Sequence, residues 1–171
     1  MFDGKLLNLF YFLLNKHKQN IIMRFTKNFT LQEMVASQTA ANRGIVNIPN
    51  KYQIENLQTL CDKVLQPARD FIGSIFISSG FRCYKLNTAI GGSKSSQHCK
   101  GEAADIKCQD NAKLFHHILK NLDFDQLIWE FGDKRQPQWI HVSYKGLKNR
   151  RQVLVAYRDN GRTVYDIYEN R

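Results

Sequence analysis

Apolar and polar residues alternate at helical intervals in the first part of the chain. The stretch NFTLQEMVASQTAANRGI, residues 28–45, spaces its apolar side chains as one helix would. Thr30 is the expected N-cap, Glu33 its capping-box partner, and Gly44 the expected stop. The pattern therefore predicts a single helix between Thr30 and Gly44.

A second apolar stripe runs through residues 51–72 and predicts a longer amphipathic helix that begins after Asn50. Pro67 lies inside this stretch. Because proline lacks a backbone N–H, we expect it to bend the helix or to end it early. Cys61 falls within the apolar stripe, so we expect it to be a core residue.

The rest of the chain favours short strands with one helix among them. That helix is predicted from Asp110 or Asn111 to about Leu122. The chain then ends in a predicted β-hairpin, because the turn sequence Asn160-Gly161 separates two β-rich runs. The predicted strands are IFISS at 75–79, AADIK at 103–107, QLIWEF at 126–131, WIHVSY at 139–144, RQVLVAYR at 151–158 and RTVYDIY at 162–168.

This order of elements predicts an α+β fold in which N-terminal helices pack on a small, mainly antiparallel sheet. A chain of 171 residues, 43% hydrophobic and 23% charged, is expected to form one domain. We place that domain at residues 26–171 and interpret residues 1–25 as an N-terminal extension, either amphipathic or outside the domain. Its apolar run LLNLFYFLL at 6–14 is far shorter than the about 20 residues that span a bilayer. We therefore expect neither a signal peptide nor stable membrane insertion.

The formal charge of +10 favours a polyanionic partner, such as nucleic acid, an anionic membrane or an acidic cell-wall polymer. Apart from KNRR at 148–151 the basic residues are spread out, which is typical of a solvated surface. No motif combines aromatic and basic residues, so a nucleic-acid partner is not expected. The four cysteines include no C-x-x-C pair and predict reduced thiols.

The stretch SSQHCKGEAAD at 95–105 raises the question of a metal site. A loop that turns at Gly101 could bring the side chains of His98 and Asp105 to one point, and His141 on the strand at 139–144 could supply a third ligand. On residue types alone the signal is weak, since a single histidine on a strand is usually structural. A competing histidine and two-cysteine site would use Cys99 and Cys108, whereas His116 and His117 fit an ordinary helix face.

Four motifs taken together resemble a known family. They are SSGFR at 78–82, GGSKSSQHCKGEAADI at 91–106, DQLIWEFG at 125–132 and QWIHVSY at 138–144. In this order they look like the zinc D-Ala-D-Ala carboxypeptidase and murein peptidase family, and most like its phage and prophage type, the VanY-like and endolysin-like branch. The opening NFTLQEMVASQTAANRGIVNIP is also similar to the start of that domain, so the resemblance covers roughly residues 26–165.

Carried over position by position, the resemblance implies one Zn²⁺ per chain bound by His98, Asp105 and His141. It implies that Arg82 holds a substrate carboxylate or polarises the scissile carbonyl, which suits a guanidinium that is always charged and forks onto two oxygens. Ser96 and Gln97 are substrate-binding candidates that would not contact the metal but would support the residues that do.

The catalytic base departs from the family pattern. Several branches place an acidic residue three positions before the last histidine ligand, where this chain has Gln138, an amide that cannot take up a proton. We expect Glu130, in LIWEF, to be the base that holds the zinc-activated water. Asp133 is a weaker candidate for the base. A cysteine hydrolase with Cys99 as its nucleophile would need a base beside the thiol, and His98 is already assigned to the metal.

The resemblance therefore implies a zinc metallopeptidase that hydrolyses peptide bonds in bacterial peptidoglycan, as a D-Ala-D-Ala carboxypeptidase or a murein endopeptidase. Its partners would be peptidoglycan stem peptides. We expect a monomer that is cytoplasmic on synthesis and acts on the cell wall. The alternative, motivated by Gln138, is a catalytically silent zinc-containing module that binds the wall or serves as a phage structural protein.

Overall fold

The computed structural model describes residues 22–169. Its helices are α1 (Leu31–Val35), α2 (Gln38–Asn42), α3 (Lys51–Leu60), α4 (Gln66–Ile72), α5 (Tyr84–Ala89) and α6 (Asn111–Asn121). A π-helical turn spans Cys61–Leu65, and 3₁₀ turns span Gln97–Lys100 and Gly146–Lys148. The strands are β1 (Phe76–Ser79), β2 (Ala103–Lys107), β3 (Gln126–Glu130), β4 (Trp139–Ser143), β5 (Gln152–Asp159) and β6 (Arg162–Ile167).

The strands form one six-stranded sheet in the order β1-β2-β4-β3-β5-β6. Every neighbouring pair is antiparallel except β3 and β5, which are parallel. The prediction of a mixed helix-and-sheet fold with a mainly antiparallel sheet is confirmed. The C-terminal hairpin is also confirmed, and Asn160 and Gly161 both have positive φ at its turn, as a two-residue hairpin loop requires.

The single N-terminal helix predicted between Thr30 and Gly44 is wrong. The chain forms α1 and α2, and Ala36 between them is extended. Ser37 explains the break, because its hydroxyl accepts a hydrogen bond from the Ala40 N–H and so starts a new helix. The Thr30 cap is confirmed by its bond from the Glu33 N–H, and Gly44, with φ of +59°, follows the end of α2.

The predicted helix over 51–72 is continuous but irregular. Asn50 and Gln53 form a full capping box at its start. Ahead of Pro67 the helix widens into the π-helical turn, in which the Gln66 N–H donates to the Cys61 carbonyl. This wider turn accommodates the proline ring and its missing N–H, so the helix neither ends nor needs a sharp kink there. Cys61 is fully buried, as predicted.

The main core lies between the helices and one face of the sheet. Buried side chains of α1, α3, the π turn, α4 and α6 form one cluster with those of the strands. Its largest fully buried members include Phe29, Met34, Leu57, Leu60, Phe115, Phe124 and Leu127. Phe25, which precedes α1, also belongs to this cluster. The apolar run at 6–14 lies outside the described residues. No helix within residues 22–169 is long and apolar enough to cross a membrane.

Gly101 connects the turn that carries His98 to the strand that carries Asp105. It adopts φ of +73°, and a Cβ added there would lie 2.4 Å from the Gln53 carbonyl oxygen. Two side chains of α3 hold the same turn, because Gln53 donates to the Cys99 carbonyl and Asn56 to the Lys100 carbonyl. Only glycine meets both the backbone angle and the close approach to α3.

We expect Gly101→Ala to destabilise the protein more than an alanine at an open left-handed position does. Gly44→Ala is the matched control, because Gly44 also has positive φ but nothing lies within 4 Å of its added Cβ. The control should lose about 1–2 kcal/mol to backbone strain. Gly101→Ala should lose a further ~1–3 kcal/mol to the clash with Gln53. Urea unfolding measures both, and equal losses would contradict the packing argument.

Candidate active site

His98 is held in one orientation by the backbone of a neighbouring loop. The residue is buried on the 3₁₀ turn Gln97–Lys100, and its Nδ1 lies 2.8 Å from the Gly80 carbonyl oxygen. A carbonyl oxygen can only accept a hydrogen bond, so His98 Nδ1 must carry the proton and donate it. In the neutral ring, Nε2 then carries the lone pair. The Arg82 N–H donates back to the His98 carbonyl at 3.2 Å, which fixes the two loops to each other.

Asp105 and His141 are cross-strand neighbours whose side chains lie on the same face of the sheet. They lie directly opposite one another on the antiparallel strands β2 and β4. His141 Nδ1 is 3.0 Å from Asp105 Oδ1 and 3.2 Å from His98 Nε2, and His98 Nε2 is 3.3 Å from the same Asp105 oxygen. Two nitrogens and one oxygen therefore converge within about one hydrogen-bond length of each other. Within residues 22–169 this is the only such group of three metal-ligating side chains.

The electrostatic environment suits a cation between these atoms. Burial lowers the pKa of His98, so the ring stays neutral and keeps its lone pair. Burial opposes ionisation of Asp105, but positive charge at the adjacent ring positions, His98 first, outweighs burial and holds its pKa well below the ordinary value. With the His98 ring neutral, a bound cation is what would supply that charge. Because His98 Nε2 has no proton, its contact with the Asp105 carboxylate places two lone pairs face to face. A cation at this point would remove that repulsion.

The donor set fits zinc. Two imidazole nitrogens and one carboxylate oxygen are the ligands of a catalytic zinc site with three protein ligands and an open position. Ligand atoms about 2.0–2.2 Å from a tetrahedral ion stand about 3.3–3.6 Å apart, close to the 3.0–3.3 Å separations here. His98, Asp105 and His141 are thus the residues that would hold the metal.

The three side chains lie in a cleft of about 930 Å³. Arg82 and Glu130 line the same cleft. The Arg82 Nε is buried and has no hydrogen-bond partner among the described residues. Glu130 is the last residue of β3, only 7% exposed, and Phe131 directly after it has a positive φ of 55°.

Glu130 has the electrostatic character of a proton acceptor. Burial raises its pKa to about 7, with Asp105 adding to the shift and with His141 and Arg82 opposing it. A carboxyl group with a pKa near neutrality can take up and release a proton at physiological pH. Gln138, by contrast, is exposed and does not line the cleft, and Asp133 is exposed and caps a turn by accepting the Arg135 and Gln136 N–H groups.

A family described as Peptidase M15 matches residues 27–143, more than half of the chain. The chain belongs to the peptidase M15 family. M15 peptidases are zinc-dependent hydrolases, and the family suggests metallopeptidase activity on peptidoglycan-type substrates. No curated protein matches the chain.

The remaining predicted residues have clear places in this M15 domain. Ser96 and Gln97 line the cleft beside His98, and the Gln97 amide donates to Asp125. The competing site through Cys99 and Cys108 is not assembled, because within the described chain only His98, Asp105 and His141 cluster as metal ligands. His116 and His117 lie on α6 outside that cluster, as the helix-face interpretation predicted. His116 contacts Tyr168, and His117 stacks on Phe71.

Asp125 was not among the site residues predicted from the sequence. Its carboxylate is fully buried immediately before β3 and accepts from Gln97, from Lys145, and from the side chain and backbone N–H of Arg150. Gln97, Lys145 and Arg150 line the cleft. The available signal was an aspartate at the start of a strongly apolar strand, DQLIWEF, whose charge needs buried partners.

Residues beyond the matched segment complete the cleft. Leu154 of β5 and Thr163 and Tyr165 of β6 are among its lining residues, although the family match ends at residue 143. Tyr165 is 51% exposed, and burial of the remainder and the nearby Glu130 raise the pKa of its hydroxyl. The C-terminal hairpin therefore forms one wall of the cleft.

We expect zinc to bind and to stabilise the protein through the three proposed ligands. Zinc in about thousandfold excess over its Kd should raise the free energy of unfolding by about 4 kcal/mol. Asp105→Ala should abolish both the zinc-dependent rise in Tm and the bound metal measured by elemental analysis. His116→Ala, a histidine outside the cluster, should keep both. A zinc-dependent Tm shift that survives in Asp105→Ala would contradict the assignment.

Asp125 should make stability depend on pH in acid. Its pKa is lowered from 3.8 to about 2 because its bonds to Arg150 and Lys145 outweigh the effect of burial. A depressed folded-state pKa contributes stability that is present above the unfolded value and is lost as pH falls towards 2. The loss should be about 2 kcal/mol between pH 4 and 2. Urea unfolding at several pH values should show a flatter acid limb for Asp125→Asn, whereas the exposed Asp123→Asn should keep the wild-type limb. Identical limbs in all three proteins would contradict this account.

Proposed function

We propose that this protein is a zinc peptidase of the phage or prophage type that cleaves peptidoglycan stem peptides, as a D-Ala-D-Ala carboxypeptidase or a murein endopeptidase. One observation carries the proposal: a buried carboxylate with a pKa near 7 and a guanidinium line the same cleft as a His-Asp-His cluster. These are the parts that hydrolysis of a peptide bond needs, namely a base, a stabiliser of the oxyanion and a metal site.

Glu130 acts as the general base in this proposal. Its ionised carboxylate accepts a proton from the attacking water and then delivers that proton to the leaving amine. Burial favours this exchange, because a carboxyl group whose pKa is about 7 can both take up and release a proton near neutral pH. The end of β3 is a rigid position, paired to Trp139 on one side and Ala156 on the other.

Arg82 supports the charge that develops on the carbonyl oxygen. Its guanidinium lines the cleft, and a guanidinium is a planar cation that can hold a developing negative charge. The bound zinc would supply Lewis-acid chemistry, lowering the pKa of water and polarising the carbonyl. Ser96 and Gln97 would position the substrate beside His98.

We also propose where the protein acts and how it reaches its substrate. The net charge of +10 favours association with an anionic cell wall. We propose a monomer made in the cytoplasm that reaches the wall on cell lysis, with the peptidase domain at residues 26–171 preceded by an extension.

Glu130→Gln tests the assignment of the base. The variant should retain zinc but lose at least about 100-fold in the rate of muropeptide cleavage, because an amide cannot accept a proton. In the wild type, kcat/KM should fall as pH drops below about 7, since the base must be ionised and its pKa is raised to about 7. Mass spectrometry of muropeptides after digestion measures turnover and the bond that is cut.

Gln138→Ala is the control for this test and should retain activity, because Gln138 is exposed outside the cleft. Wild-type turnover in zinc-loaded Glu130→Gln would assign the base elsewhere. A zinc-loaded wild-type protein that cleaves no muropeptide would favour the silent wall-binding module.

A further inference from the structure

We propose that Lys145 and Arg150 form a carboxylate-binding subsite at one end of the cleft, which selects stem peptides with a free acidic group. The inference rests on the proposed function and specifies which substrates that site accepts. Its basis is the geometry of Asp125 and its two basic partners, which the metal site and the base do not use.

Asp125 fixes the direction of the Arg150 guanidinium. Its Oδ1 accepts from Arg150 Nε at 2.9 Å and its Oδ2 from Nη2 at 2.6 Å, a two-point contact that defines the plane of the guanidinium. The Arg150 backbone N–H also donates to Oδ1 at 3.2 Å. A side chain held in this way is preorganised and loses little conformational entropy when it binds a ligand.

Both cations keep donors that Asp125 does not use. A guanidinium has five N–H groups and Asp125 takes two of them, while Lys145 Nζ has three and gives one to Asp125 at 3.2 Å. The Arg150 side chain is 50% exposed and that of Lys145 27% exposed, so the remaining donors can reach a ligand. Carboxylates match the fork of an arginine.

The charge balance of this end of the cleft is positive. Lys100, Lys145 and Arg150 line the cleft, whereas the carboxylates that offset them, Asp125 and Glu102, are not among its lining residues. Burial also raises the pKa of Glu102, which disfavours its charge. The surface that faces a ligand is therefore cationic, and an anionic group of the substrate is its complement.

The subsite connects directly to the reaction centre. Gln97, which donates to Asp125, is the neighbour of His98. The Asp125 backbone N–H donates to the carbonyl of Ser143, two residues from His141. Two residues of a strand span about 6.6 Å, and Lys145 lies two residues further along the chain. The acidic group would thus be separated from the scissile bond by roughly two or more residues of an extended peptide.

Peptide pairs that differ in one carboxylate test the subsite. Three synthetic stem pentapeptides would be compared: one with all its acids free, one with a C-terminal carboxamide, and one with its acidic side group amidated. The comparison shows whether the C-terminal carboxylate or the side-group carboxylate is bound. For zinc-loaded wild type, one of the two amidations should lower kcat/KM about tenfold, mainly through KM, since a charge-assisted hydrogen bond is lost. In Lys145→Gln and Arg150→Gln the same amidation should change kcat/KM less than about twofold.

Lys148→Gln is the matched control, because it removes the same charge from the same loop at a position that does not line the cleft. It should discriminate between the peptides as the wild type does. Arg150→Lys keeps the positive charge but loses the two-pronged guanidinium, so it should recover only part of the preference for the free-acid peptide. It also keeps the test possible if Arg150→Gln does not fold.

Calorimetric binding of the same peptides to zinc-loaded Glu130→Gln separates this inference from the proposed function. Charge-selective binding without wild-type cleavage would refute the peptidase and leave the subsite standing. Wild-type cleavage or binding that neither amidation alters would overturn the subsite, as would equal losses on all three peptides in Lys145→Gln. Absence of both cleavage and binding would overturn both.

Discussion

The convergence of two ring nitrogens on one Asp105 oxygen is the constraint on which the rest of the site depends. His98 Nε2 and the Asp105 oxygen share no proton, so they repel each other when buried. The surrounding structure must therefore hold the three side chains together. The sheet positions two of them by pairing Asp105 with His141, and the Gly80 carbonyl positions the third by holding the His98 ring. Helix α3 contributes to the site because its Gln53 and Asn56 side chains hold the turn that carries His98 in place.

The sequence predicted the parts of this protein that are determined locally. The caps at Thr30 and Asn50, the Asn160-Gly161 hairpin and the strands that carry Asp105 and His141 depend on neighbours within a few residues. The family resemblance then selected, from among five histidines and fifteen acidic residues, the three side chains that the structure brings together as a possible metal site. Residue types alone left that choice open.

What the sequence did not predict depends on contacts between distant segments or on a close local competition. The break at Ser37 follows from a hydroxyl that outcompetes helix continuation, and the widened turn ahead of Pro67 absorbs a residue that ordinarily ends a helix. Asp125 was missed because its partners Gln97, Lys145 and Arg150 come from both sides of it in the chain. The raised pKa of Glu130 likewise depends on burial by strands and side chains that only the folded sheet assembles.

The parallel pairing of β3 with β5 has a consequence for the boundary of the working unit. Without β5 and β6, β3 would become the edge of the sheet, and its backbone N–H and C=O groups would be open to pairing with another chain. Glu130 would then sit at a fraying strand end in contact with water, in surroundings that no longer favour its protonated form. The segment that matches the family, residues 27–143, is therefore shorter than the segment needed to keep Glu130 buried, because the C-terminal hairpin both lines the cleft and shields the end of β3 from water.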